Sequence, residues 1–139
     1  MPQNKLIQAH GHSRTVRCID CKKEASLEAY KKAIDDQIVL RCECTGLVKP
    51  DVVFFGESLP KEFAEAIDLV GEADLVIIMG TSLVVFPFAM LSQMIDEKTP
   101  LVLINNTDSR PGKKANSLWL DGNLDERVKE LADELKWEL

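Results

Sequence analysis

The stretch that most constrains the fold of this chain is an unbroken apolar run, Leu75 to Met79, which ends in Gly80-Thr81-Ser82. The run has the length of a strand and is rich in β-branched side chains, as in a parallel strand buried on both faces. Glycine lets the backbone turn tightly beside a ligand, and the hydroxyls can bond ribose or phosphate oxygens. Because ligands bind beyond the carboxyl ends of strands in open α/β sheets, this turn is a candidate nucleotide site. An ordinary strand-to-loop turn is the alternative.

Strand patterns and helix patterns alternate along the rest of the chain. Apolar runs predict strands over residues 52–55, 101–104 and 117–120, and polar side chains follow the second of these at Asn105-Asn106-Thr107. Apolar residues at helical spacing predict helices over residues 26–36, 58–71, 87–97 and 123–135, with N-caps at Ser26, Ser58 and Asn123. This alternation predicts an α/β fold built from parallel βαβ units.

Composition favours a globular protein and excludes some functions. The 139 residues are 45% hydrophobic, enough for one domain with a real core. A net charge of -6 argues against non-specific nucleic-acid binding, which needs a basic face. Residues 75–94 carry no charge, but Gly80-Thr81-Ser82 and Pro87 interrupt them, so we expect strand, loop and helix rather than a membrane span. The polar N-terminus does not have the pattern of a signal peptide.

Four cysteines lie in the first third of the chain as two close pairs, Cys18 with Cys21 and Cys42 with Cys44. Without a secretory signal, metal binding explains them better than disulfides, and four thiolates in two knuckles suit tetrahedral structural zinc. The second pair is C-x-C rather than C-x-x-C, and the tighter loop makes chelation by both sulfurs harder. The alternative is a metal-free or partly oxidised loop.

Two histidines, His10 and His12, flank Gly11 near the start of the chain. They suit a metal site, a catalytic base or a polar loop, and on these residues alone we interpret the segment as a polar loop. His10 remains a candidate general base, because imidazole titrates near neutral pH.

Taken together, these pieces occur in a specific order. The chain carries His10-Gly11, both cysteine pairs, the segment LVKPDVVFFGESLP from Leu47 to Pro60, Met79-Gly-Thr-Ser-Leu83 with Pro87-Phe88, Leu103-Ile-Asn105, and Asp121-Gly-Asn-Leu-Asp125. In this order the chain resembles the sirtuins, NAD-dependent protein-lysine deacylases, nearly end to end. The wording of the LVKPDVVFFGESLP segment is most similar to the eukaryotic deacetylase class.

The resemblance implies a fold and a division of the chain. The expected α/β fold is a partial Rossmann-like parallel sheet with helices, plus a small zinc-binding module with four cysteine ligands. Residues 14–48 would form the zinc module, and residues 49–139 the second part of the Rossmann-like domain of a truncated sirtuin catalytic domain.

The resemblance also implies roles for single residues. His10 matches the catalytic histidine, a general base on a ribose hydroxyl after the acetyl oxygen attacks the nicotinamide ribose. Cys18, Cys21 and Cys44 match zinc ligands, and Cys42 is a fourth ligand one residue out of step. In the family the substrate peptide binds in a cleft as an added extended strand. The residues that match this cleft are Val53, Phe55, Gly56, Glu57 and Val85.

The implied cofactor is NAD, and the residues that match its site follow the strands. Gly80, Thr81 and Ser82 match NAD contacts, and Asn105, Asn106 and Thr107 match the adenosine ribose site. Leu124 stands where the family usually has a cysteine near the adenine, and an apolar side chain there can still pack on the ring.

Two family motifs are not found in this sequence: the Gly-Ala-Gly-x-Ser loop that cradles NAD phosphates, and a Thr-Gln-Asn-Ile-Asp stretch that binds nicotinamide and ribose. We therefore expect the chain alone to have weak deacetylase activity or none, and its central strands to expose an apolar edge that invites self-association. Two alternatives are a non-enzymatic, zinc-stapled module that binds peptides or a partner, and a nucleotide-binding fragment that self-associates. The expected partner is an acetylated-lysine protein or peptide, without nucleic acid or membrane, inside the cell in nucleus or cytoplasm.

Overall fold

The structure, a computed structural model, describes residues 5–113 and 115–138. It consists of two compact units, the first ending at Phe63 and the second beginning at Ala64.

The first unit is built on a three-stranded antiparallel sheet in the order β2–β1–β3. Its elements are β1 (Gly11–Cys18), β2 (Glu24–Ala25), helix α1 (Leu27–Asp35) and β3 (Val48–Val52). Val16 and Cys18 of β1 are fully buried, and they pair with Pro50 and Val48 of β3. Because β3 lies at an edge of the sheet, it tolerates Pro50, which has no amide hydrogen to donate.

The first unit has the predicted helix but differs from the predictions at the start and the end of its long strand pair. Helix α1 is confirmed, and the Ser26 hydroxyl caps it by accepting from the Ala29 amide at 3.2 Å. The interpretation of residues 9–13 as a loop is wrong in part, because β1 begins at Gly11. The strand predicted over residues 52–55 is also wrong, since β3 ends at Val52. The apolar run continues into solvent there, and Phe55 is 97% exposed.

The second unit contains a three-stranded parallel sheet in the order β4–β5–β6. Its strands are β4 (Val76–Met79), β5 (Leu101–Asn105) and β6 (Ser117–Asp121), and its α-helices are α2 (Phe63–Gly71), whose first residue closes the first unit, and α3 (Leu124–Leu135). Two 3₁₀ helices, Phe88–Gln93 and Pro111–Lys113, lie in the connections. Leu101 and Leu103 of β5 are buried with Ile95 in the hydrophobic core of this unit. β5 is therefore both the central strand of the sheet and the strand that contributes most to the core.

The predicted α/β fold with a parallel sheet is confirmed, and so is the cap of the last helix. The Asn123 side-chain oxygen accepts from the amides of Asp125 and Glu126 at 3.0 and 3.3 Å. The expectation that β4 is buried on both faces is wrong. Val76 and Ile78 pack against the core on one face of β4, while Ile77 and Met79 on the other face are 38% and 51% exposed. β4 is also an edge strand, with only β5 beside it among the described residues.

Two predicted helices are shorter than expected. The helix predicted from Ser58 begins at Phe63, after a turn in which the Phe63 amide donates to the Pro60 carbonyl at 3.0 Å. The helix predicted over residues 87–97 is the 3₁₀ helix Phe88–Gln93, in which the buried Ser92 hydroxyl bonds the Ala89 carbonyl at 2.8 Å. Among the described residues, no helix is both long enough and apolar enough to span a membrane.

Candidate functional site

The four cysteines of the first unit converge on one point. Their sulfur atoms all lie within 4.8 Å of one another, with Cys18 Sγ 3.4 Å from Cys44 Sγ and Cys21 Sγ 3.7 Å from Cys42 Sγ. A tetrahedral zinc ion with Zn–S bonds of about 2.3 Å separates its sulfur ligands by about 3.8 Å. The four thiols are therefore positioned to bind a structural metal ion, and the C-x-C pair does not keep Cys42 out of the cluster.

Local backbone hydrogen bonds bring the cysteines together and favour the charged form of Cys18. The Cys42 amide donates to the Gly46 carbonyl at 2.9 Å, and the Thr45 amide donates to the Cys42 carbonyl at 2.8 Å, which closes the C-x-C loop into a tight turn. Backbone hydrogen bonding, first from Cys21, lowers the pKa of the Cys18 thiol to about 7 and so favours the thiolate that binds metal.

The pKa of the Cys21 thiol is shifted in the opposite direction. The Lys23 backbone N–H works to lower the pKa of the Cys21 thiol, but hydrogen bonding with Cys44 and burial outweigh it and raise that pKa to about 12. Without a metal this thiol therefore keeps its proton, and a metal ion must displace that proton when it binds.

His10, the candidate base, lies in the turn just before β1. The Gly11 amide donates to the Gln8 carbonyl at 2.9 Å, and the Val53 amide donates to the His10 carbonyl at 3.0 Å. Gly11 has φ +71, and a Cβ there would lie 1.9 Å from the Asp51 carbonyl oxygen, so only glycine fits. The backbone of His10 is thus fixed, while its side chain is exposed.

The candidate peptide residues of the first unit form a turn after β3. The Phe54 amide donates to the Glu57 carboxylate at 2.8 Å, and the Glu57 amide donates back to the Phe54 carbonyl at 3.0 Å. Phe55 and Gly56 at the tip are exposed, and no atom of the described residues lies within 4 Å of the Gly56 Cβ position. The remaining candidate, Val85, lies in the second unit, where its carbonyl accepts from the Ala89 amide at 2.9 Å.

The second unit contains a cavity of about 420 Å³ at the carboxyl ends of its three parallel strands. Every residue that the sequence suggested for the cofactor lines it: Gly80, Thr81, Ser82, Asn105, Asn106, Thr107 and Leu124. The Asn105 side chain ties two strand ends together by donating to the Thr81 carbonyl at 3.0 Å. Hydroxyl and amide groups therefore face the same space as one apolar side chain.

Gly122 and Asn123 also line this cavity and were not expected from the sequence. They follow β6 directly. Because ligands bind beyond the carboxyl ends of strands in open α/β sheets, their position after a predicted strand could have identified them. Gly80 has φ +59, and a Cβ there would lie 3.2 Å from a Leu124 methyl group, which explains the glycine at the floor of the cavity.

The comparisons with known proteins identify the class. A sequence model of the Sir2 family matches residues 2–87, more than half of the chain. The chain therefore belongs to the Sir2 family, as the sequence predicted.

Several NAD-dependent protein deacetylases are similar to this chain in sequence. The NAD-dependent protein deacetylase hst2 of Schizosaccharomyces pombe is 36% identical over 140 residues, which cover 99% of this chain and 42% of that protein. The NAD-dependent protein deacetylase sirtuin-3 of Mus musculus is 43% identical over 106 residues, which cover 76% of this chain and 32% of that protein. The chain thus spans less than half the length of these relatives.

Solved Sir2 structures have the same fold. Sir2Tm bound to a propionylated peptide matches 94% of this chain with a TM-score of 0.83 and 30% identity, covering 56% of that chain. Sir2 with a p53 peptide and NAD+ matches 92% of this chain with a TM-score of 0.82 and 30% identity, covering 54% of that chain.

Proposed function

We propose that this chain serves the NAD-dependent removal of acetyl groups from protein lysines, giving nicotinamide and O-acetyl-ADP-ribose. The observation that carries the proposal is the cavity at the ends of β4, β5 and β6, which collects all the residues assigned to NAD. The names of the relatives support it, since they are NAD-dependent protein deacetylases. They do not favour a non-enzymatic binding module.

The residues of the cavity suit the adenosine half of a dinucleotide. The turn at Gly80 lets the backbone come close, and the Thr81 and Ser82 hydroxyls can donate to ribose or phosphate oxygens. Leu124 offers an apolar contact for the adenine ring, and Asn106 a polar one for the ribose. NAD supplies the ribose to which the acetyl group is transferred.

We assign the protein's own chemistry to His10 and the peptide residues. His10 accepts a proton from a ribose hydroxyl, as a general base with an exposed imidazole. The backbone of the turn at residues 53–57 holds the acetylated peptide mainly through main-chain hydrogen bonds, and the resemblance assigns Val85 of the second unit to the peptide as well. Zinc on the four cysteines stabilises the fold of the first unit and takes no part in the reaction.

Binding of NAD tests the cavity directly. Leu124→Glu places a carboxylate where the adenine ring is expected to pack, and binding would have to remove water from that charge, so we expect NAD affinity to fall about tenfold or more. Leu135→Glu is the matched control, because it makes the same substitution at the other end of α3. Leu135 is 48% exposed and is not among the residues that line the cavity. Calorimetric titration of each zinc-loaded variant with NAD measures the two affinities. Equal affinities in the two variants would contradict the assignment.

Nicotinamide release from NAD, with and without an acetyl-lysine peptide, tests catalysis. From this chain alone we expect weak peptide-dependent release at most, and that release should disappear in His10→Ala but persist in His12→Ala, because only His10 matches the catalytic base. No release from folded, zinc-loaded protein that binds NAD and peptide would contradict catalysis by this chain and leave a binding module.

The expected partners follow from the same proposal. An acetylated-lysine protein is the substrate, while the net charge of -6 argues against direct nucleic-acid binding. The exposed Ile77 and Met79 on edge strand β4 suit self-association, which sedimentation at several concentrations tests. We expect no membrane partner and a location in the nucleus or cytoplasm.

A further inference from the structure

One ammonium group contacts both the end of β3 and the turn that follows it. Lys49 Nζ lies 2.7 Å from the Val52 carbonyl oxygen and 3.3 Å from that of Pro50. The same atom lies 3.1 Å from Glu57 Oε2 and 4.5 Å from the centre of the Phe54 ring. The Lys49 side chain is only 23% exposed, so these contacts are partly shielded from water.

The turn that Lys49 holds is fixed at its ends and open at its tip. Glu57 Oε2, which Lys49 binds, also accepts from the Phe54 amide at 2.8 Å. Phe55 and Gly56 between them are exposed, and Gly56 has φ +88. The open tip is therefore held in shape by contacts made behind it.

The Glu57 carboxylate stays ionised in this arrangement. The Phe54 backbone N–H, followed by Lys49, lowers the pKa of Glu57 below its ordinary value, and Lys22 acts in the same direction from a greater distance. The ion pair with Lys49 therefore persists at neutral pH.

We infer that Lys49 is a positioning residue that holds the backbone of residues 53–57 in the conformation that an acetylated peptide pairs with. The inference rests on the proposed function. Peptides that bind by strand addition gain affinity from backbone that is ordered in advance, since less conformational entropy is lost on binding. Lys49 acts on this backbone through its contacts with Val52, Phe54 and Glu57.

The competing explanation is that Lys49 only stabilises the sheet. Arg17 offers a matched control, because its guanidinium also binds β3, through Asp51 at 2.6 and 2.8 Å, with no described contact to the turn. A purely structural role predicts the same behaviour for Lys49→Met and Arg17→Met. Lys49→Arg tests for rescue, since it keeps the positive charge.

Hydrogen exchange on the full, zinc-loaded chain is the first readout. In Lys49→Met we expect the Phe54 and Glu57 amides to exchange about tenfold faster, the effect of losing one charged contact. Lys49→Arg should restore part of the protection, and Arg17→Met should leave these two amides unchanged. Unchanged exchange in Lys49→Met would overturn the inference.

Affinity for an acetyl-lysine peptide, measured by fluorescence anisotropy, is the second readout. We expect the Kd to rise about tenfold in Lys49→Met and to recover in Lys49→Arg, in parallel with the exchange rates. Faster exchange with an unchanged Kd would overturn the role in substrate binding. A wild-type chain that binds no peptide would contradict the proposed function instead, and hydrogen exchange would still decide whether Lys49 holds the turn.

Discussion

At the scale of single residues, the metal cluster depends on a glycine as well as on its cysteines. A Cβ at Gly46 would lie 2.6 Å from Cys18 Sγ and 2.4 Å from Asp20 Oδ2. The Asp20 amide in turn donates to Cys18 Sγ at 3.4 Å. Any side chain at position 46 must therefore displace the most buried of the four sulfurs, which sits on β1.

We predict that Gly46→Ala weakens zinc binding by roughly 10- to 100-fold, the usual effect of disturbing groups that orient metal ligands. Competition with a coloured chelator measures the affinity. Gly71→Ala is the control, because a Cβ there would have no neighbour within 4 Å in the part of the chain that the structure describes. Equal zinc affinity in the two variants would mean that the C-x-C loop can shift without loss.

At the scale of elements, α3 contributes to the cavity through its first turn. Asn123 both caps the helix and lines the cavity, and Leu124 follows it. The N-terminus of a helix carries a partial positive charge, which favours electron-rich ligand atoms at this end. The cap therefore connects helix stability with the shape of the site.

We predict that Asn123→Ala lowers the free energy of unfolding by about 1 kcal/mol, through loss of the two cap hydrogen bonds to Asp125 and Glu126. Asn123→Asp should keep the cap, because its carboxylate accepts the same bonds. Thermal and urea unfolding provide the values. A stability loss as large in Asn123→Asp as in Asn123→Ala would show that the cap is not the cause.

At the scale of the whole molecule, the two units have different sources of stability. The first has few large buried side chains, and Cys18, one of its candidate metal ligands, is among them. The second buries Leu101, Leu103 and Ile104 around its middle strand. Metal binding therefore supplies folding free energy mainly to the first unit.

We predict that removing zinc with a strong chelator unfolds the first unit and leaves the second folded. Hydrogen exchange should show loss of protection in β1 and β3 and retained protection in β5. Adding zinc back should restore the first unit. Simultaneous loss of protection in both units would contradict separate sources of stability.

Local patterns predicted much of this molecule. The apolar runs at β4, β5 and β6, the Ser26 and Asn123 caps and the two cysteine pairs all depend on signals within a few neighbouring residues. The error at the start of the chain occurred where long-range pairing decides. Gly11–Cys18 is polar and irregular in pattern, and it becomes a strand because β3 pairs with it across 30 to 41 positions.

The sequence alone determined the family, the α/β class and the set of side chains placed after each parallel strand, because these depend on residue order and local chemistry. Only the tertiary structure decided that Cys42 joins the other three sulfurs, that Gly122 and Asn123 share a cavity with Gly80, and that Lys49 reaches Glu57. Distances between residues far apart in the chain depend on how strands pair and turns close. A single sequence does not contain those distances in any local pattern.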